Sequence, residues 1–189
     1  LAALDIEKAF DTLDWDYLWE LLRRMGLGGE FVTWVRLLYS EPTARVWTGN
    51  VVSKTIEIQR GTRQRCPLST LLYAVAMEPL AIKLRQDLSE WCICVGNTVH
   101  VVSMYVDDTL IYLSNPEEAV LRMLRLMEEF ERASDLKINK RKTKMFPLVS
   151  LAKCQPQDLP NIELPWETCE FRYLGMHMVH TRSLQYELN

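Results

Sequence analysis

No uninterrupted apolar run in this 189-residue sequence approaches the roughly 20 residues that span a bilayer, which predicts a chain without a membrane segment. The opening stretch, LAALDIEKAF, has neither Met nor a basic n-region. It does not read as a secretory leader, and the expectation is the interior of a longer protein. Cysteine is scarce and odd in number: Cys66, Cys92, Cys94, Cys154 and Cys169 are irregularly spaced and give no disulfide framework. That usage leads us to expect a reducing, intracellular setting, with nucleus and cytoplasm not distinguished. A zinc site drawn from Cys154, Cys169, His177 and His180 has the wrong first gap for a finger or knuckle. No internal repeat is present.

What is present is ordinary globular composition, 48% hydrophobic and 25% charged, enough to bury one core. The net charge of −3 argues against a uniformly basic nucleic-acid binder, but the charges are patchy. Residues 137–144 carry five cations in eight positions, and Arg60, Arg63 and Arg65 cluster in another segment. Much of the offsetting acid lies in Glu117, Glu118, Glu128, Glu129 and Glu131.

Periodicity predicts mixed elements. A short strand over Leu1–Leu4 ends at Asp5. A helix follows from Trp15 to Met25, with Leu18, Leu21, Leu22 and Met25 on one stripe and Gly26 as stop. Phe31, Trp34, Val35 and Leu38 repeat the helical spacing, residues 44–59 alternate as strands around Thr48-Gly49-Asn50, and Leu71–Leu84 reads as a buried helix interrupted by Pro79. Asn115-Pro116-Glu117-Glu118 starts a helix to about Ser134, with Asn as cap and acids at the positive end of the dipole. The chain then turns Pro-rich and irregular through 147–165 and closes in a strand or hairpin over 169–176. Strands mixed with helices and an antiparallel hairpin predict an α+β fold. We divide it into a core over 1–146 and a connection with a final hairpin over 147–189.

The sharpest feature is SMYVDDTLIYLS, residues 103–114. Two apolar, β-rich runs, Val99–Val106 and Leu110–Leu113, flank Asp107 and Asp108, which reads as strand, tight turn, strand. Aspartate is common in turns, so the pair alone says little. If the first strand lies beside this hairpin, however, Asp5 approaches both. Carboxylates about 4 Å apart repel by about 4 kcal/mol at an effective dielectric of about 20, so such a cluster needs a proton or a cation. Hard oxygen ligands suit Mg²⁺ or Mn²⁺. Two such ions serve in-line phosphoryl transfer.

In order and spacing, LDIEKAFD (4–11), RGTRQRCPLS (60–69), YVDD (105–108), LKINKRKTK (136–144) and FRYLG (171–175) together resemble the palm of reverse transcriptases, in particular those of LINE-type (non-LTR) retrotransposons. The resemblance covers nearly the whole chain. It implies a polymerase palm of antiparallel sheet and packed helices, and an RNA-directed DNA polymerase acting on RNA template, DNA primer and dNTPs with two Mg²⁺ or Mn²⁺ ions. In that reading Asp5 and Asp107 hold metal, Asp108 is the adjacent acid, and the Ile6 carbonyl is a further ligand. Phe10 is the aromatic gate that clashes with a ribose 2′-hydroxyl. Arg63 and Gln64 lie against template and nucleotide, with Arg60 and Arg65 in the same nucleic-acid-binding stretch. Lys142, with Lys140 and Lys144 as competitors, is the cation near departing pyrophosphate. Phe171, Tyr173, Leu174 and Gly175 grip the primer terminus. Fingers, thumb and endonuclease regions are expected in a full-length protein.

Two positions depart from the family pattern: Arg65 stands where it has Gly after Gln64, and Thr70 where it has Pro after Ser69. Glycine serves close backbone approach or positive φ, so the first departure opens an alternative, a decayed or repurposed palm that binds nucleic acid or a protein without catalysis. A nucleotide cyclase, a third palm-type reading, lacks a purine-recognition motif and leaves RGTRQRCPLS unexplained.

Overall fold

The computed structural model of the chain describes residues 1–147, 164–167 and 170–179. Most of the expected irregular stretch lies outside them, as do Cys154, Cys169 and His180 of the zinc reading. Strand β1 (Ala2–Leu4) leads into a one-turn helix α1 (Ala9–Thr12), then α2 (Trp15–Arg24) and α3 (Gly29–Leu38). Helix α2 starts where it does because the Asp14 carboxylate accepts the Tyr17 backbone N–H at 2.8 Å, and it stops at Gly26 in a left-handed conformation. Leu18, Trp19 and Leu22 are its buried residues, whereas Met25, expected on that stripe, is the C-cap and is exposed. Helix α3 buries only Val32 and Val35; Phe31, Trp34 and Leu38, expected on its apolar face, are exposed.

Strands β2 (Thr43–Ala44), β3 (Trp47–Thr48), β4 (Val51–Val52) and β5 (Ile56–Glu57) form a nested hairpin, β2 on β5 and β3 on β4, closed at Gly49-Asn50. Helix α4 (Pro67–Asp87) is longer at both ends than its apolar pattern predicts. Its 21 residues and a mean hydropathy of 1.2 would suit a bilayer by length and composition alone, contrary to the expectation from apolar runs. Its place in the fold supplies another reason for that composition: Leu72, Tyr73, Ala76, Met77, Leu80 and Leu84 are buried in the core, and α4 packs on α2, on the sheet and on the later helix α5 (Pro116–Ser134). Burial against several elements accounts for much of that apolar content, although Leu71 and Ile82 remain exposed.

Between α4 and α5 run β6 (Ile93–Val95), β7 (Thr98–His100), β8 (Val102–Tyr105) and β9 (Asp108–Ile111). The run Val99–Val106, read as one strand, is broken at buried Val101, whose carbonyl accepts the Tyr112 N–H at 2.8 Å. The part before the break pairs with β6, the part after it with β9. Asn115 occupies the N-cap of α5 but makes no side-chain capping bond. The helix ends at Asp135 with φ 63°. After β10 (Lys144–Met145), strands β11 (Glu170–Tyr173) and β12 (Met176–Val179) pair as the expected hairpin.

The main sheet is four-stranded and antiparallel, in the order β10-β1-β9-β8. Alternation splits it: Ala2, Leu4 and Ile111 face the helices in the main core, while Leu1, Leu110 and Phe146 form a smaller cluster with Ala3, Tyr112 and Tyr173 on the other face. The fold is therefore α+β, as expected. Truncating Ile111, fully buried in β9, to Ala should cost about 2–5 kcal/mol in chemical denaturation. Truncating exposed Trp47 to Ala should change stability by less than about 0.5 kcal/mol.

Candidate active site

The acidic pair sits where two strands meet their turn. Tyr105 pairs with Asp108, so β8 and β9 are joined by Val106-Asp107 alone. Val106 has φ 57°, a left-handed conformation that a β-branched residue avoids. Backbone strain of this kind, of order 1–3 kcal/mol, persists only where neighbours over-determine it.

Register delivers the third acid. Leu4 pairs with Thr109 across β1 and β9, so the same antiparallel step carried one residue on sets Asp5 opposite Asp108. Burial, followed by the charges of Asp107 and Asp5, pushes the Asp108 carboxyl above the usual carboxylate range. Of the three acids expected to converge, Asp108 is the one on which the charges of the other two register. Among the described residues, no three acidic, histidine or cysteine side chains are already closed into a metal-ligand set.

A basic loop holds Asp5 from behind. The Asn139 N–H donates to the Asp5 carbonyl and the Glu7 N–H to the Lys137 carbonyl, both at 2.8 Å, around the bridge between Ile6 and Ile138. Because successive carbonyls of a strand point to opposite sides, the Ile6 carbonyl turns away from this loop. The Asp5 N–H donates to Thr143 Oγ1 at 3.3 Å. Asn139 also accepts, through its carbonyl, the N–H groups of Lys142 and Thr143 at 3.0 and 2.8 Å. The stretch expected to be a cationic surface is thus also a backbone clamp. Lys140 and Lys142 are exposed on it, while Lys144 pairs with Glu167 at 2.6 Å.

The RGTRQ segment docks on α1. Gly61 has φ 81°, and a Cβ there would lie 2.6 Å from the Asp11 carbonyl oxygen and 2.7 Å from that of Phe10. Only glycine fits. The Gly61 N–H donates to Leu13 O at 2.8 Å, the Thr62 N–H to Phe10 O at 2.5 Å, and Trp15 Nε1 to Gly61 O at 2.7 Å. Gln64 Nε2 donates to Asp11 Oδ1 at 3.1 Å, which fixes its amide. Arg60 forms an exposed ion pair with Asp135, an engagement not foreseen in its sequence setting. Arg63 and Arg65 are exposed. Arg60, Arg63 and Gln64 line a cleft of about 780 Å³ with Arg45 and Tyr39; Asp11 also lines it, whereas Asp5, Asp107 and Asp108 do not.

Phe10 is half-buried and stacks on Tyr73 of α4, with ring centroids 4.9 Å apart and planes 27° apart. Burial, then the charge of Asp107, raises the Tyr73 phenol far above its ordinary value. Tyr173 is raised by burial and then by the charge of Asp108, so the last hairpin reaches the acids from the opposite side. Its turn, Leu174-Gly175, has φ 48° and 79°, and the Phe171 side chain lies outside the described ones. Tyr73, Asn139 and Gly61 were not singled out from the residues: Tyr73 sits in an apolar helical run, Asn139 in a charge run.

The sequence pattern of the family described as Reverse transcriptase (RNA-dependent DNA polymerase) matches residues 1–178. The chain belongs to the reverse transcriptase family. Its similarity to a 149 kDa protein of transposon TX1 from Xenopus laevis is 30% identity across 93% of this chain and 13% of that protein. To the Pol polyprotein of a type-1 retrotransposable element R2 from Popillia japonica it is 27% identical across 93% of this chain and 26% of that polyprotein. A Drosophila melanogaster R2DM Pol polyprotein is 30% identical over 59% of the chain and 10% of its own length. The chain thus spans about a quarter or less of the curated relatives it matches. The similarity is to non-LTR retrotransposon proteins, as the motif order implied.

The raised Asp108 carboxyl gives this reverse transcriptase segment a pH signature. The folded state binds the Asp108 proton more tightly than the unfolded chain does, so stability falls as pH rises through the window between ordinary and raised values. Without divalent ions, Asp108→Asn should stabilise the fold at pH 7, read as a higher thermal midpoint, by under about 1 kcal/mol because the group is largely solvent-screened. The gain should vanish below the ordinary carboxylate value of about 3.9.

Proposed function

We propose that the chain is the polymerase palm of a non-LTR retrotransposon polyprotein, extending a DNA primer on an RNA template. What supports the reading is the register of β1 on the neighbouring β9, Leu4 opposite Thr109, which carries Asp5 toward Asp108, a carboxyl that feels the charges of Asp107 and Asp5. Carboxylate oxygens and the Ile6 carbonyl make a hard-oxygen donor set suited to Mg²⁺ or Mn²⁺. Asp5, Asp107 and the Ile6 carbonyl would hold the ions, with Asp108 beside them. Two such ions, when bound, activate the attacking hydroxyl and stabilise the leaving oxygen.

The primer 3′-hydroxyl attacks the α-phosphorus of the dNTP, the bond to the bridging oxygen breaks, and pyrophosphate leaves. Phe10, its ring held against Tyr73, closes the space a ribose 2′-hydroxyl would need. Gln64, oriented by Asp11, and Arg63 lie along template and nucleotide. Lys142, exposed on the loop that clamps Asp5, supplies positive charge to the pyrophosphate. The hairpin bearing Phe171, Tyr173, Leu174 and Gly175 holds the primer end. Arg60 borders the cleft that the template strand follows, and exposed Arg65 in the same segment adds positive charge for its phosphates. Fingers, thumb and endonuclease belong to the longer polyprotein.

One observation favours a second reading. Arg65, standing where the family pattern has Gly, has φ 62°. A non-glycine residue there carries about 1–2 kcal/mol of backbone strain, which fits a copy whose catalysis has decayed. Carried in a polypeptide that supplies fingers and thumb, the chain should incorporate dTTP on primed poly(rA) with Mg²⁺, and Asp107→Asn should reduce incorporation about 100-fold or more. Equal signal from both would remove the polymerase reading. Activity seen only after Arg65→Gly would identify a damaged enzyme, the second reading.

A further inference from the structure

We infer that Tyr73 is a positioning residue that couples the two halves of the site: its ring fixes the tilt of Phe10, and its hydroxyl is the donor that steadies the Asp107 carboxylate when cations draw the acids together. The inference rests on the polymerase reading above.

Tyr73 is fully buried, and among the described residues its hydroxyl has no hydrogen-bond partner. A stranded hydroxyl is destabilising, and buried polar atoms without partners call for an explanation. Its helical neighbours Leu72, Ala76 and Met77 are apolar and buried, so phenylalanine would fill the same space without the cost. Something must use the oxygen. Helix α4 packs along β8, the strand that runs into Val106-Asp107. Asp107 is the acid whose charge acts on the phenol. A phenol donates and a carboxylate accepts, and a carboxylate that binds a cation keeps lone pairs for a second donor, which sets its orientation.

The other end of the same side chain meets the sugar side of the site. Phe10 lies on the Tyr73 ring, offset-stacked at 4.9 Å. Phe10 belongs to a helix of only four residues, Ala9–Thr12, which by itself is a weak platform for a residue that must hold one plane. The stack supplies the rigidity. One residue on a long buried helix therefore touches the gate and addresses the carboxylate.

The test titrates the full chain with MnCl₂ by calorimetry, in wild type, Tyr73→Phe, Asp107→Asn and the double variant, and records metal-free thermal midpoints. Tyr73→Phe should bind Mn²⁺ about 10-fold more weakly while its metal-free midpoint stays level or rises. In the Asp107→Asn background it should have no further effect on Mn²⁺ affinity. Wild-type affinity in Tyr73→Phe, with wild type well above Asp107→Asn, overturns the inference and leaves the polymerase reading standing. A wild type no better than Asp107→Asn overturns both. A lower midpoint with unchanged Mn²⁺ affinity would mark a purely structural tyrosine and also overturns it. For the ring, Tyr73→Leu in the primed poly(rA) assay should lower the KM for UTP and so erode the preference for dTTP, while Tyr73→Phe keeps it. Retained preference in Tyr73→Leu overturns the gate half of the proposal.

Discussion

The antiparallel register of β1 on β9 is the constraint on which the site depends, because it carries carboxylates that repel one another toward a common point. Asp5 comes from the first strand and the 107–108 pair from a hairpin about a hundred residues later, and nothing in the local chemistry of either favours their meeting. The antiparallel register of β1 on β9 brings them together: every backbone bond between these strands supports a spacing that the side chains at their ends resist. The resulting field is visible on Asp108, and a cation is the partner that would convert this liability into a binding site.

Much of the surrounding structure can be understood as resisting that repulsion. The 137–143 loop bonds to Asp5 and Glu7 through backbone and Thr143, so the first acid is held at the end of β1. The hairpin accepts a strained Val106 to keep Asp107 at the turn. Helix α4 backs the site with its bulk, and the RGTRQ segment approaches α1 so closely that Gly61 admits no side chain. The charge pattern follows. Arg45, Arg60 and Arg63 border one cleft although the chain as a whole is slightly acidic, and local sign, not net charge, governs attraction of a polyanion.

The strand and hairpin that carry the acids were legible because β-branched residues bracket them, and α2 was legible because an aspartate caps it and a glycine ends it. The left-handed conformation that the Gly-to-Arg departure suggested at position 65 is also there. Other features hid in ambiguity that only tertiary context resolves. The run from Val99 to Val106 carries one uniform β signal, yet two hairpins divide it at Val101, whose carbonyl accepts the Tyr112 N–H beyond the last β8–β9 pair. In α3 the larger side chains repeat the helical spacing while the smaller Val32 and Val35 take the core. Tyr73 looked like any core aromatic, since neither its stranded hydroxyl nor its contact with Phe10 leaves a trace in spacing. Asn139 was masked by the lysines around it, and its role lies in the backbone, where side-chain identity says little.

The central claim is that Asp5 and the 107–108 hairpin, separate in sequence, jointly hold divalent cations. Crystals of the chain soaked in MnCl₂ and measured near the manganese absorption edge test this directly. The account predicts anomalous density between the Asp5 and Asp107 carboxylates, with Mn–O contacts of about 2.0–2.3 Å. Density confined to other acidic residues, or absent between these two at saturating MnCl₂, would contradict it.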